Sequence, residues 1–220
     1  SLDGQALTGS DLTDTFSLQS ASLAANAATV LLANAIEFKN LSSTIDASGG
    51  EDTVNGFADV DWTLGGTNSV TSTNGYTFNN IEIVDVASQT LNGTAGADAF
   101  TVNSAAEVGA DSIVFNNVAI VAAAAGSDSV TTTGVGADLT GTENELKAAG
   151  IIFKDVETAS LDGQALAGSA LADTFSLHSA SSATDAATVL LANAIEFKNL
   201  SSTIDAKGDQ DTVNGFADVD

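Results

Sequence analysis

The chain has 220 residues, with 29 acidic side chains against five lysines and no arginine, and a formal net charge of −24. A surface this acidic excludes nucleic-acid binding and insertion into an anionic membrane. The lack of any Cys excludes both a disulfide framework and thiolate chemistry. Hydrophobic residues make up 44% of the chain, enough to argue against a disordered polyanion.

Residues 1–61 return at 160–220 without a gap, and the first copy differs only at positions 8, 11, 13, 19, 23, 25, 26, 48, 50 and 51. Residues 1–159 are therefore one full module and 160–220 the start of the next, and the sequence predicts one continuous structure over 1–220. With no Met and no leader pattern, the sequence predicts a segment from the interior of a longer protein.

Along the chain, two landmarks alternate. The first is Asp-[Thr/Ser/Ala]-[Phe/Val], at Asp14-Thr15-Phe16, Asp52-Thr53-Val54, Asp98-Ala99-Phe100, Asp128-Ser129-Val130, Asp173-Thr174-Phe175 and Asp211-Thr212-Val213. The second is an apolar residue two before Phe, followed by Asn or Asp two after it. It centres on Phe38, Phe78, Phe115, Phe153 and Phe197, of which Phe38 and Phe197 are the same position in successive modules. Apolar residues at −2 and 0 with a variable residue between them predict a half-buried strand. Eleven landmarks in 220 residues set one strand-like segment about every 20 residues.

After each Phe the parity breaks. Position +2 is Asn40, Asn80, Asn117, Asp155 or Asn199, and the next apolar residue is at +3. A broken parity predicts a corner, for which Asn and Asp are suited because they tolerate left-handed backbone angles. Stacked coils would set these five side chains in a ladder.

Two segments predict short helical decorations. Ala24 to Ala35 is Ala/Leu-rich, and Thr142 to Gly150 opens like a capping box and stops at a glycine. The Ala-rich runs, including Ala122 to Ala125, predict a narrow core where small residues fit.

Chemistry-bearing residues are few. The one His, His178, aligns with Gln19 in the first copy, so no catalytic role attaches to it. Asp59 with Asp61 and Asp218 with Asp220 pair carboxylates, but a pair duplicated with the module is a lattice rather than an active site. The sequence predicts no catalytic residue, no enzyme and no cofactor. Trp62 follows the duplicated stretch and is expected either to plug a coil or, if exposed, to stack on a sugar ring. Tyr76 is expected to fill the apolar slot of its own repeat.

The recurrence of I-x-F-x-N-[ILV] with G-x-x-D-T-F or G-x-D-S-V resembles the β-helical repeats of filamentous-haemagglutinin-like bacterial adhesins exported by two-partner secretion. This resemblance implies a right-handed parallel β-helix, an all-β solenoid of about 20 residues per coil, held outside the cell at its surface or in a secreted matrix. It implies a stiff spacer in a filamentous adhesin or biofilm-matrix protein, lengthened by about 38 Å per module if eight coils stack at ~4.8 Å. Partners would be an extracellular polysaccharide or further copies of the chain. Gly49-Gly50-Glu51-Asp52-Thr53-Val54-Asn55-Gly56 is similar to the calcium-binding nonapeptide of RTX proteins. That makes Asp52, Asp98, Asp128 and Asp211 candidate calcium ligands, although the motif occurs singly and one carboxylate binds calcium feebly. The competing expectation is that Asp52 and Asp211 accept backbone N–H groups at strand entries. Side-on binding of polysaccharide or calcium and assembly into a surface layer are the alternative functions.

Overall fold

The computed structural model describes residues 4–19, 31–33, 36–38, 41–177, 190–201 and 203–215. Among the described residues there are 26 short strands and no helix. They follow a ten-strand pattern that visits two sheets in turn.

The first set begins with β1 (Leu7–Thr8) in sheet I and a triplet in sheet II, β2 (Thr15–Leu18), β3 (Leu31–Ala33) and β4 (Ile36–Phe38). Then come β5 (Thr44–Asp46) in sheet I and β6 (Thr53–Asn55) in sheet II. A sheet I triplet, β7 (Trp62–Gly66), β8 (Ser69–Ser72) and β9 (Thr77–Asn79), and then β10 (Ile83–Asp85) in sheet II close the set.

The second set repeats it with β11 (Thr90–Asn92), β12 (Ala99–Ser104), β13 (Glu107–Ala110), β14 (Ile113–Asn116), β15 (Ile120–Ala122) and β16 (Ser129–Thr132). It continues through β17 (Ala137–Leu139), β18 (Leu146–Ala148), β19 (Ile151–Lys154) and β20 (Thr158–Ser160). A third set opens with β21 (Leu166–Ala167), β22 (Thr174–Leu177), β23 (Leu190–Ala192), β24 (Ile195–Lys198), β25 (Ile204–Asp205) and β26 (Thr212–Asn214). Leu7, Leu91 and Leu166 hold the same place in the three opening strands. The module 1–159 is thus two diverged half-modules.

The chain forms two compact units, residues 1–94 with 107–120, and residues 95–106 with 121–220. In the first unit, sheet I runs β1-β5-β9-β8-β7-β11 and sheet II runs β4-β3-β2-β6-β10-β14-β13. In the second, sheet I runs β15-β19-β18-β17-β21-β25 and sheet II runs β12-β16-β20-β24-β23-β22-β26. Each unit is a β-solenoid in which strands of successive coils pair in parallel. Within a triplet the strands are antiparallel: the chain steps ahead, folds back twice and pairs its third strand with the coil behind, as β9 does with β5.

The coil is longer than the landmark spacing predicts. Hydrogen bonds between equivalent acids of adjacent coils join positions 38 apart at Asp14 and Asp52 and 30 apart at Asp98 and Asp128. The parallel pairs Phe16↔Val54 and Trp62↔Leu91 are offset by similar stretches of chain. The reason lies in the triplets. Every Asp-x-[Phe/Val] landmark and the Phe landmarks at 38, 115 and 197 fall in sheet II, so successive landmarks do not mark successive coils.

The core follows from alternation. Strands such as β6, β10 and β11 bury the middle residue and leave its neighbours half-exposed. Phe78, Phe115, Phe153 and Phe197 are fully buried, and Phe38 is half-buried on the outermost strand β4. In the first unit Phe78 is a hub, with ring centroids 6.1 Å from Phe16, 6.0 Å from Trp62 and 6.3 Å from Tyr76. Tilted pairs of this kind contribute ~0.5–1.5 kcal/mol beyond their burial. Of the run Ala122 to Ala125 only Ala123 is buried.

The expected helix at Thr142–Gly150 does not form. Leu146 and Ala148 point inward with Lys147 outward, a period of two, and β18 pairs antiparallel with both β17 and β19. Tertiary pairing overrides the local capping signal there. Most of the Ala24–Ala35 run lies outside the described residues, but Leu31–Ala33 within it is strand.

Glycines permit the close stack at coil exits. A Cβ on Gly56 would strike the Asp85 carbonyl oxygen, and one on Gly126 the Gly96 carbonyl oxygen. Gly56 N–H donates to that same Asp85 oxygen at 2.8 Å.

Candidate functional site

The acidic half of the first landmark forms a column at the entry of sheet II. Each acid precedes the first residue of a strand, and the carboxylates of Asp52, Glu82, Asp128, Glu157 and Asp211 accept the main-chain N–H of the acid one coil behind. Asp14 N–H donates to Asp52 Oδ1 at 2.7 Å, and Asp52 N–H donates to Glu82 Oε2 at 2.9 Å. The second unit repeats it: Asp98 N–H to Asp128 Oδ1 at 2.8 Å, and Asp128 N–H to Glu157 Oε2 at 2.7 Å. Further along the same unit Asp173 N–H donates to Asp211 Oδ1 at 2.9 Å. The carbonyls continue the stitch, with Thr53 N–H on Asp14 O at 3.0 Å and Ile83 N–H on Asp52 O at 3.0 Å. Asp14 and Asp173 also fasten their own loops, accepting from Ser10 N–H and Ser169 N–H at 2.6 Å.

Asp52 and Asp128 are fully buried, and the Oδ2 of each finds no hydrogen-bond donor among the described residues. Burial pushes both carboxyls above the ordinary carboxylate range, against the pull of the bonded N–H of Asp14 or Asp98. The nearby charges push the same way as burial: Glu82 and Asp14 for Asp52, and Asp98, Glu157 and Asp155 for Asp128.

Of the four candidate calcium ligands, Asp52, Asp98 and Asp128 are buried in this column, and Asp211 is half-exposed. Among the described residues, no group of three or more His, Asp or Glu is placed to hold a metal ion. The Glu members at 82 and 157 escape the sequence pattern because that landmark starts with Asp. Their signal is an acid just before a strand, one coil on.

Among the described residues, the corner side chains are not seen to bond one another. Asn80, Asn117, Asp155 and Asn199 all have left-handed φ, from 51° to 57°, as a corner requires; Asn40 lies outside the described residues. Each amide instead reaches the last side chain of the parallel strand beside it. Asn80 Nδ2 donates to Asp46 Oδ1 at 2.7 Å, Asn117 Nδ2 to Asp85 Oδ1 at 3.1 Å, and Asn199 Nδ2 to Ser160 Oγ at 2.9 Å. The amides cannot stack because successive corners alternate between the two sheets. At the fourth corner Ala123 N–H bonds Lys154 O, which places Ala122 beside that strand end. Ala122 offers no acceptor, and there the corner residue is Asp155 rather than Asn.

Trp62 is not a sugar platform. Its side chain is fully buried, packs on Phe78, and sits beneath Gly56, so no ligand outside the fold can reach its ring. The inward parity of β7 places it there. Tyr76 is buried against Phe78, in the apolar slot of its repeat. Asp61 closes a loop, with Oδ1 accepting Thr90 N–H at 2.9 Å, while Asp59 is exposed. His178, Asp218 and Asp220 lie outside the described residues.

One outward surface is regular. In the first unit Thr63 faces Thr71, Thr71 faces Thr77, and Thr77 faces Thr44 across adjacent strands of sheet I, with Asn92 opposite Thr63. These side chains are half-exposed or exposed, and the Thr71 and Thr77 hydroxyls lie 3.0 Å apart.

The chain matches no protein-family model, no curated protein and no solved structure.

Proposed function

We propose that this chain is the repeat region of a large extracellular filamentous adhesin or biofilm-matrix protein, in which it acts as a stiff spacer. The observation that carries this reading is the recurrence of one ten-strand set, stitched to its neighbours by main-chain hydrogen bonds within each unit, in copies that are nearly identical where 1–61 and 160–220 overlap. Such a repeat gains length without new design, because each coil needs only the coil beside it. Within each unit an added strand lengthens its sheet by ~4.8 Å, and a spacer requires that length grow with every added module. Chains with one, two and three copies of residues 1–159, imaged singly by atomic force microscopy, test it. Equal increments of contour length with low curvature are expected, and a compact particle whose length does not track copy number would overturn the reading.

The threonine row favours a second reading, side-on binding of a polysaccharide. An uncharged line of hydroxyls about 4.7–4.9 Å apart suits an extended sugar chain better than the acidic surface around it. Loss of glycan-array binding in Thr71→Val/Thr77→Val would support it. An array blank for the unaltered chain would end it.

A further inference from the structure

The same triad of acids is built twice, as Asp14–Asp52–Glu82 in the first unit and Asp98–Asp128–Glu157 in the second. In both, the middle carboxyl is fully buried, one oxygen takes an N–H from the coil behind, and the other has no donor among the described residues. The charged groups that bear on Asp52 are Asp14 and Glu82, and those on Asp128 are Asp98, Glu157 and Asp155. All are acids. An ionised carboxylate with a bare buried oxygen among like charges is a costly arrangement, and building it in two units indicates that something stands on that oxygen.

We propose that Asp52 and Asp128 are proton-holding sites, kept as neutral carboxylic acids in the folded chain at pH values where exposed carboxyls are ionised, so that mild acid tightens the solenoid. A proton on Oδ2 removes one negative charge from each triad. It also relieves the cost of holding an ionised oxygen, buried and without a donor among the described residues, beside other acids. The direction in which burial and the flanking acids push these two groups agrees. Asp211 supplies an internal contrast: it makes the same bond to the coil behind, to Asp173 N–H, yet it is half-exposed.

The sign follows from linkage. A carboxyl raised above its unfolded value binds more protons in the folded state, so unfolding releases them. The stabilisation is therefore fully present below the unfolded value of 3.8 and is lost as pH rises through the raised folded value.

Denaturant unfolding of the whole chain from about pH 4 to about pH 8 tests this in three proteins: unaltered, Asp52→Asn/Asp128→Asn, and Asp59→Asn/Asp162→Asn. The third removes the same charge from two exposed positions with positive φ, which separates the buried sites from general relief of repulsion. The expected result is that unfolding of the unaltered chain releases up to about two protons in the window where the sites stay protonated. The control should keep that release. Asp52→Asn/Asp128→Asn should lose it and should be at least as stable as the unaltered chain at about pH 8, because its amide mimics the neutral acid. Equal pH slopes in all three proteins would overturn the proposal. So would calcium stabilising the unaltered chain at about pH 8 while the buried double variant is weaker and does not respond, which would mean an ionised site held by a cation. Carboxyl-carbon NMR of the unaltered chain decides if that variant fails to fold. Two Asp resonances titrating above the rest are expected, and all titrating together in the ordinary range would end the idea.

Discussion

Ile36 and Ile195 are the same residue in the same local sequence, yet Ile36 is 59% exposed and Ile195 is 0% exposed. At the other edge the order reverses, with Val54 at 0% and Val213 at 69%. The strands explain both. β24 lies between β23 and β20, whereas β4 has only β3; β6 lies between β2 and β10, whereas β26 has only β22. The local sequence decides which side chains point inward, and the next coil decides whether pointing inward means burial. Stability in such a fold is close to a sum over neighbouring coils. The two copies are therefore paired experiments in which the sequence is held nearly constant and the neighbour is removed.

The largest effect expected from that pairing is at the aromatic slot. Phe197→Ala should cost ~3–5 kcal/mol, because the ring is fully buried and the strands around it cannot close on the cavity. Phe115→Ala should fall in the same range. Phe38→Ala, at the half-buried equivalent of Phe197, should cost roughly half as much. Denaturant unfolding of the three variants checks it; equal losses at 38 and 197 would mean that burial of this slot is complete without a second neighbour.

Next come the glycines. A methyl group at Gly56 meets the Asp85 carbonyl of the next coil, while its equivalent Gly215 has nothing within 4 Å. Gly56→Ala should cost ~1–3 kcal/mol through overpacking, and Gly215→Ala should lie within about 0.5 kcal/mol of zero. Thermal melts of the two single variants suffice. A neutral Gly56→Ala would show that coils can move apart at their exits.

A smaller effect belongs to the corners. Asn80→Ala loses the bond to Asp46 and forces a Cβ-bearing residue without a polar side chain into a left-handed conformation, for about 1–2 kcal/mol. Asn80→Gly keeps the backbone free and should lose only ~0.5–1 kcal/mol. If the two variants melt together, the backbone angle carries none of the cost.

Much of this is legible in the residues. Apolar-x-Phe identifies the inward strand face, and the broken parity at Asn80, Asn117, Asp155 and Asn199 locates corners that do take positive φ. The triplets are hidden for a physical reason. Their tight turns hold two successive residues at positive φ, at Asp111-Ser112, Ala149-Gly150 and Asn193-Ala194, where the usual sequence signal is Asn-Gly. Two of the three contain no glycine, so the antiparallel strands β13 and β23 leave no turn signature, and the sequence underestimates the coil. The column acids at Glu82 and Glu157 are hidden because a longer side chain performs the Asp role one coil on. For Trp62 the sequence leaves two readings open because its neighbours are turn residues, and the inward parity of β7 decides for the one in which it plugs a coil.

The smallest expected effect lies at Ser48 and Lys207, equivalent positions at which the two copies differ. Both occupy the same left-handed turn, and both donate their main-chain N–H to the preceding Asp at 3.0 Å, to Asp46 and to Asp205. Only Lys207 adds an ion pair, its Nζ 2.8 Å from Asp138 Oδ1, which ties the loop after β25 to β17 across the intervening β21. Lys207→Ser therefore removes the pair while leaving a residue the turn already accepts. The two side chains are 42% and 51% exposed, so solvent screens them and the loss should be at most about 1 kcal/mol. At about 1 M salt the Debye length falls to ~3 Å and the difference should vanish. Lys198→Ser is the matched control, since it removes the same charge from a pair, Lys198–Glu196, that stays within β24 and joins no coils. A larger loss for Lys207→Ser than for Lys198→Ser at low salt would show that reaching across coils adds stability. Equal losses would assign both to the general relief that any cation brings to a chain of net charge −24.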